Sequence, residues 1–180
     1  MLLVVDNGSI YTKQLTDFLS EKSISFEKQS PQFLNLDLLS NYDSFILSGR
    51  RKNEKKINEI NSKIIRHCIK NDNKLLGICY GAEILALTLG GTIRKITSIQ
   101  KGIESIQAIK ENSICKNSID VFESHSYEIS KLPSVLVTLA ESKNCKNEII
   151  QYEKKPIFGT QFHPEMSQDG NNLIEKFYSL

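Results

Sequence analysis

The chain has 180 residues, 39% of them hydrophobic and 24% charged, with a formal net charge of +2. That length suits one domain over residues 1–180 with its own core, and the composition is that of a soluble globular protein. A charge this small, on scattered Lys and Arg, gives no footing for nucleic acid or an anionic membrane surface.

Leu2 to Val5 is a continuous apolar run, as in a strand buried on both faces. It lacks a basic leader segment and meets Asp6 too early for a signal peptide, so it reads as a first strand. Asp6-Asn7-Gly8-Ser9 is a turn, after which Leu15, Phe18 and Leu19 recur at helical spacing. Ser25 to Gln29 reads as a short strand, and Ser44 to Leu47 as another that ends at Ser48-Gly49. The basic run Gly49-Arg50-Arg51-Lys52 is expected to be a solvated loop. From about Glu54 to Asn71, Ile57, Ile60, Ile64, Ile65 and Cys68 share one helical face. Lys74 to Ile78 is the next strand, and Ala82 to Leu89 the next helix, stopped by Gly90-Gly91.

Strand and helix in alternation predict a parallel sheet covered by helices. The second half changes character. Residues 103–109, 135–139, 148–152 and 156–162 read as strands separated by turns, which predicts an antiparallel or mixed extension. Asn171 to Tyr178 reads as a closing helix. No run of about 18 apolar residues is present, so no membrane-spanning helix is expected. None of the four cysteines lies in a Cys-x-x-Cys pair or has a His at ligand spacing, which predicts a reduced, cytoplasmic protein without a metal site. Cys68 reads as packing, whereas Cys115 and Cys145 are expected in polar loops.

Cys79 carries the chemical signal. The strand Leu75 to Ile78 breaks at a small-x-Cys-x-small turn, with Gly77 and Gly81 flanking the cysteine. Such a turn lifts the sulfur clear of the backbone and aims the next helix's N-terminus at it. The Tyr80 backbone N–H would then face a developing oxyanion. Far along the chain, Gln161-Phe162-His163-Pro164-Glu165 ends another apolar run. Nucleophile, base and a group to orient the base make acyl transfer through a thioester the expected chemistry.

Gly77-Ile78-Cys79-Tyr80-Gly81-Ala82-Glu83 together with Gly159 to Glu165 resembles the class I (triad) glutamine amidotransferases. The likeness extends through Val4 to Tyr11, Ile46 to Gly49, Leu89 to Thr92 and Ser124 to Ser126. It implies a flavodoxin-like fold: an open, mostly parallel sheet with helices on both faces. It implies hydrolysis of glutamine to glutamate and ammonia, with Cys79 as nucleophile, His163 as base and Glu165 as third member. Tyr80 and the Gly49-Arg50 step map to the oxyanion donors. Glu83 maps beside the bound glutamine, and Ser124, Ser126 and Tyr127 map to the loop that holds it.

Two segments depart from the family pattern. The oxyanion strand usually runs Ser-Gly-Gly-Pro; here it is Ser48-Gly49-Arg50-Arg51. A glycine there can take positive φ, so Arg50 predicts a different backbone, a blocked N–H, or a hole that forms when a partner docks. Ser124-His125-Ser126-Tyr127 is closer to the anthranilate and aminobenzoate synthase type, whereas the Asp6 to Tyr11 opening and Cys79-Tyr80-Gly81 favour the GMP synthetase type. No ATP-pyrophosphatase signature or glycine-rich phosphate loop is present. A separate synthetase subunit is therefore expected to carry ATP and magnesium, and this chain no cofactor. A free-standing γ-glutamyl hydrolase and a catalytically silent binding protein are the other readings of the same fold.

Overall fold

The structure, a computed structural model, describes residues 1–50 and 52–180; Arg51 of the basic run lies outside them. Nine strands among these residues form one sheet: β1 (Leu2–Val5), β2 (Phe26–Gln29), β3 (Ser44–Leu47), β4 (Lys74–Ile78), β5 (Thr92–Ala108), β6 (Ser118–Lys131), β7 (Leu136–Glu141), β8 (Ile149–Tyr152) and β9 (Ile157–Thr160). Their order is β2-β1-β3-β4-β9-β8-β7-β5-β6. The first five in that order are parallel, which is flavodoxin-like connectivity with β9 as the fifth strand. The rest pair antiparallel.

Alternation along the central strands builds two cores. Leu2 and Val4 face α1 (Thr12–Glu21) and α4 (Gln168–Tyr178), where Leu15, Leu19, Leu173 and Phe177 are buried. Leu3 and Val5 face α2 (Lys55–Asn71) and α3 (Tyr80–Thr88), meeting Ile64, Ile65, Ile84 and Leu85. Helices therefore cover both faces of the parallel half, as expected. The predicted face of α2 holds, with one addition: Asn61 is fully buried on it. Its Nδ2 donates to Asn7 Oδ1 at 2.8 Å, while the Asn7 backbone N–H donates to Ser48 Oγ at 2.9 Å and Asn7 Nδ2 to the Ser48 carbonyl at 3.1 Å. A buried amide must find partners; here the pairing ties the β1 turn to the end of β3.

The second half corrects the sequence reading in three places. β5 begins at Thr92, well before the expected Ile103, and β6 was not expected at all. Ser124, Ser126 and Tyr127, expected in a loop, stand in β6. Their partner strand carries a large bulge: Lys95 pairs with Tyr127 and Gln100 with His125, so residues 96–99 oppose Ser126 alone. Cys115 and Cys145 do lie in loops, as expected, but are buried there, at 2% and 3%. Cys115 joins the core that holds Ile114 and Phe177, which the polar residues around it in sequence conceal. No helix among the described residues is long and apolar enough to cross a membrane.

Candidate active site

Gly49, Cys79 and His163 follow the carboxyl ends of β3, β4 and β9, three parallel strands that deliver them to one edge of the sheet. Cys79 has φ 50° and ψ −101°, a conformation that costs a non-glycine residue about 1–3 kcal/mol. Its surroundings hold it there. A Cβ on Gly77 would lie 2.4 Å from the Gly81 carbonyl carbon, and one on Gly81 would lie 2.4 Å from the Leu47 carbonyl oxygen. The Cys79 N–H donates to the Thr160 carbonyl at 2.7 Å. The helix starts at Tyr80, two residues earlier than the sequence predicted, which puts Cys79 at its N-cap and the dipole's positive end beside the sulfur.

After β9 the chain turns so that the His163 N–H donates to the Phe122 carbonyl on β6 at 2.8 Å. His163 Nδ1 lies 2.9 Å from Glu165 Oε1, both side chains being buried. Pro164 opens a 3-10 turn that carries Glu165, and α4 packs so closely on it that a Cβ on Gly170 would lie 2.2 Å from the Pro164 carbonyl oxygen. With Nδ1 committed to Glu165, Nε2 is the nitrogen left for proton transfer. Gly49 stands against this ring, where a Cβ would come 2.8 Å from His163 Cε1.

Cys79 opens onto a cleft of about 260 Å³ whose wall includes Arg50, Tyr80, Glu83, Ser124, Ser126 and Tyr127. Six of the seven residues expected to hold substrate thus share one cavity. The seventh, Gly49, lies behind the wall beside His163. Arg50 is not among the non-glycine residues with positive φ, so this position does not demand a glycine. Its guanidinium lies 4.1 Å from the Tyr80 ring centroid, and Nη1 donates to Asn53 Oδ1 at 2.7 Å and Asn58 Oδ1 at 3.1 Å. The Tyr80 hydroxyl donates to the same Asn58 oxygen at 2.8 Å. The arginine side chain is therefore parked along the lip of the cleft.

Burial of the sulfur, followed by the negative charges of Glu83 and Glu165, holds the Cys79 thiol well above its ordinary pKa, although part of the residue reaches the cleft. Glu83, 4% exposed, is likewise raised by burial, against the opposing charges of Arg50 and His125. The thiol therefore rests protonated and requires a base to become a nucleophile. No cluster of three or more metal-ligating side chains occurs among the described residues.

Four contributors escaped the sequence reading. The Tyr11 ring lies edge-on to His163, and its hydroxyl donates to Ser124 Oγ at 3.1 Å. Asn58 braces Arg50 and Tyr80, Gln161 Nε2 approaches Glu83 Oε1 at 3.5 Å, and His125 lines the cleft. Tyr11, Gln161 and His125 were legible only as members of the quoted motifs, without roles of their own; Asn58 carries no local signal.

The sequence model of the family described as "Glutamine amidotransferase class-I" matches residues 3–179. A subunit of the glutamine-hydrolysing GMP synthase of Methanocaldococcus jannaschii is 30% identical, over 98% of this chain and 95% of that protein. The corresponding subunit from Pyrococcus furiosus is also 30% identical, over 100% and 98%. Against the GMP synthase of Aliivibrio fischeri, 29% identical, the chain spans only 35% of the relative's length. The crystal structure of a GMP synthase subunit from Thermoplasma acidophilum superposes with a TM-score of 0.87 at 26% identity, covering 99% of this chain and 92% of that one.

Proposed function

The chain belongs to the class-I glutamine amidotransferases, and from that membership we propose that it is the glutaminase subunit of a GMP synthase, passing ammonia to a separate synthetase subunit that carries ATP and magnesium and converts XMP to GMP. Its likeness, over nearly the whole of both chains, to relatives named as single subunits of GMP synthase supports placing the synthetase on another chain. The observation that carries the chemistry is the strained Cys79 elbow, opening onto a cleft, with the buried His163–Glu165 pair on the neighbouring strand end.

In this reading glutamine enters the cleft with its side-chain amide at Cys79. His163 Nε2 takes the thiol proton as the sulfur attacks the amide carbon. Negative charge develops on the carbonyl oxygen, to which the N–H groups of Tyr80 and of the Gly49-Arg50 step donate. His163 returns the proton to the amide nitrogen, the C–N bond breaks, and ammonia leaves behind a γ-glutamyl thioester. A water, deprotonated by the same imidazole, then releases glutamate and restores the thiol. Glu165 holds the tautomer and stabilises the imidazolium between steps. The α-ammonium and α-carboxylate meet Glu83 and the Ser124–Tyr127 stretch.

The test is glutamine hydrolysis by the purified chain, first by itself and then with an ATP-pyrophosphatase subunit of GMP synthase supplied with ATP and XMP. Low activity that climbs with the partner is the expected result. Activity unchanged by that partner would remove the GMP assignment.

A further inference from the structure

A second carboxylate–imidazole pair stands in the cleft wall, which His125 lines. Glu123 and His125 project from the inward face of β6 and are 4% and 5% exposed. His125 Nδ1 lies 2.8 Å from the Tyr127 carbonyl oxygen, which can only accept, so Nδ1 carries a proton. Nε2 lies 3.1 Å from Glu123 Oε2 but off the N–H direction, and it makes no hydrogen bond among the described residues. Glu148, 1% exposed just before β8, faces Glu123; both Glu123 oxygens and Glu148 Oε2 lack partners among the described residues. Two ionised carboxylates only accept and cannot bond each other, whereas a proton on Glu148 lets it donate to Glu123.

We propose that His125 is an imidazolium at neutral pH, fixed by Glu123, and that it is the positioning residue for the glutamine-binding stretch Ser124–Tyr127. Its Nδ1–H locks the Tyr127 carbonyl, which sets the direction of the backbone that lines the cleft. Its charge faces Glu83 from across the cavity and keeps that carboxylate available to the substrate's α-ammonium. The role rests on the glutaminase reading, because it is defined by what Ser124–Tyr127 and Glu83 hold.

The neighbouring groups agree with this charge. Burial works against a charged imidazole, yet the Glu123 contact, the Tyr127 carbonyl and Glu83 together raise the pKa of His125. Burial and then the charge of Glu123 push Glu148 up to about 9, with Ser142 opposing the rise and Glu104 of β5 adding to it. At neutral pH, Glu148 therefore holds a proton and adds no second charge of its own beside His125. Cys79 and Cys145, the thiols within reach of these carboxylates, are both raised and uncharged.

Only three histidines occur in the chain, His67, His125 and His163, so nitrogen-15 NMR of histidine-labelled protein can follow each ring, with His67→Gln and His125→Gln for assignment. The expected result is a His125 doubly protonated at neutral pH and shifted to lower pKa in Glu123→Gln. Glutamine binding is read by calorimetry in a Cys79→Ala background, where adding Glu123→Gln is expected to weaken binding about tenfold, the loss of one charge-assisted contact. Glu123→Asp should recover part of that loss, and affinity in the Cys79→Ala parent should fall as pH rises through the His125 pKa. A neutral His125 at pH 7, or unchanged affinity in the double variant, overturns the proposal. An imidazolium signal in a chain that binds no glutamine would instead overturn the glutaminase reading, and the positioning role with it.

Discussion

The ring of Tyr11 stands edge-on to the imidazole of His163, with centroids 4.6 Å apart and planes at 63°. The turn after β1 thereby reaches the proposed base across the sheet edge, and the hydroxyl of the same tyrosine bonds Ser124 of β6. Tyr11→Phe should keep the ring wall and lose the hydroxyl bond, raising KM for glutamine about threefold to tenfold with kcat little changed. Tyr11→Leu should lower kcat as well, since His163 loses the edge that positions it. Steady-state glutaminase kinetics with the partner present separate the two; identical behaviour of both variants would remove the positioning role of the ring.

Cys79→Ala and Cys79→Gly should both abolish hydrolysis, yet differ in stability. Alanine keeps the strain of φ 50°, and glycine relieves it. Thermal unfolding should place the glycine variant above the alanine variant by about 1 kcal/mol. Residual hydrolysis above roughly 1% in either would count against a covalent thioester.

Gly77→Ala should be far more damaging than its size suggests. Its Cβ would meet Gly81 backbone at 2.4 Å, and neither strand nor helix can move without displacing Cys79. A loss of about 3 kcal/mol or more, or failure to fold, is expected in denaturant titration. A well-folded variant of full activity would show that the elbow tolerates opening.

Arg50→Gly tests the family departure. The guanidinium stacks on Tyr80 and is braced by Asn53 and Asn58, so the variant should lose about 1 kcal/mol of stability. If the parked arginine restrains the cleft lip, glutaminase activity without partner should rise several-fold while partner-stimulated activity stays near that of the wild type. No rise would mean that Arg50 is structural here.

Glu148→Gln should flatten the pH dependence of stability. The folded chain keeps a proton on Glu148 up to about 9, whereas the unfolded chain releases it near 4.5. Between those values the folded state binds more protons, so this group's contribution falls as pH rises. A glutamine cannot ionise, so at pH 8 the variant should melt on the order of 5 °C higher, and the two should converge below pH 5. Parallel melting curves from pH 5 to 9 would show that the carboxyl ionises freely.

The parallel half was legible because its strands are buried on both faces: Leu2 to Val5 and Phe45 to Leu47 are unbroken apolar runs. The elbow was legible for a steric reason, since glycines at 77 and 81 are what the tight approach of β4, α3 and Leu47 requires. β6 was not legible. Its inward positions 123 and 125 are Glu and His, so the alternation that marks a half-buried strand is inverted where the strand meets the cleft. The same inversion hid His125. In β5, the four-residue bulge at 96–99 breaks the period of two.

The quiet state of the thiols bears on the chemical endurance of the molecule. All four cysteines have their ionisation suppressed, chiefly by burial, and Cys79 is suppressed further by the carboxylates around it. Peroxide and simple alkylating agents react with thiolate, so a resting Cys79 offers them little. On the proposed reading, electrophiles shaped like glutamine would seat in the cleft, recruit His163 and gain what indiscriminate reagents lack. Reagent selectivity, and resistance to oxidative wear between turnovers, then come from withholding the thiolate until a guest of the right shape arrives.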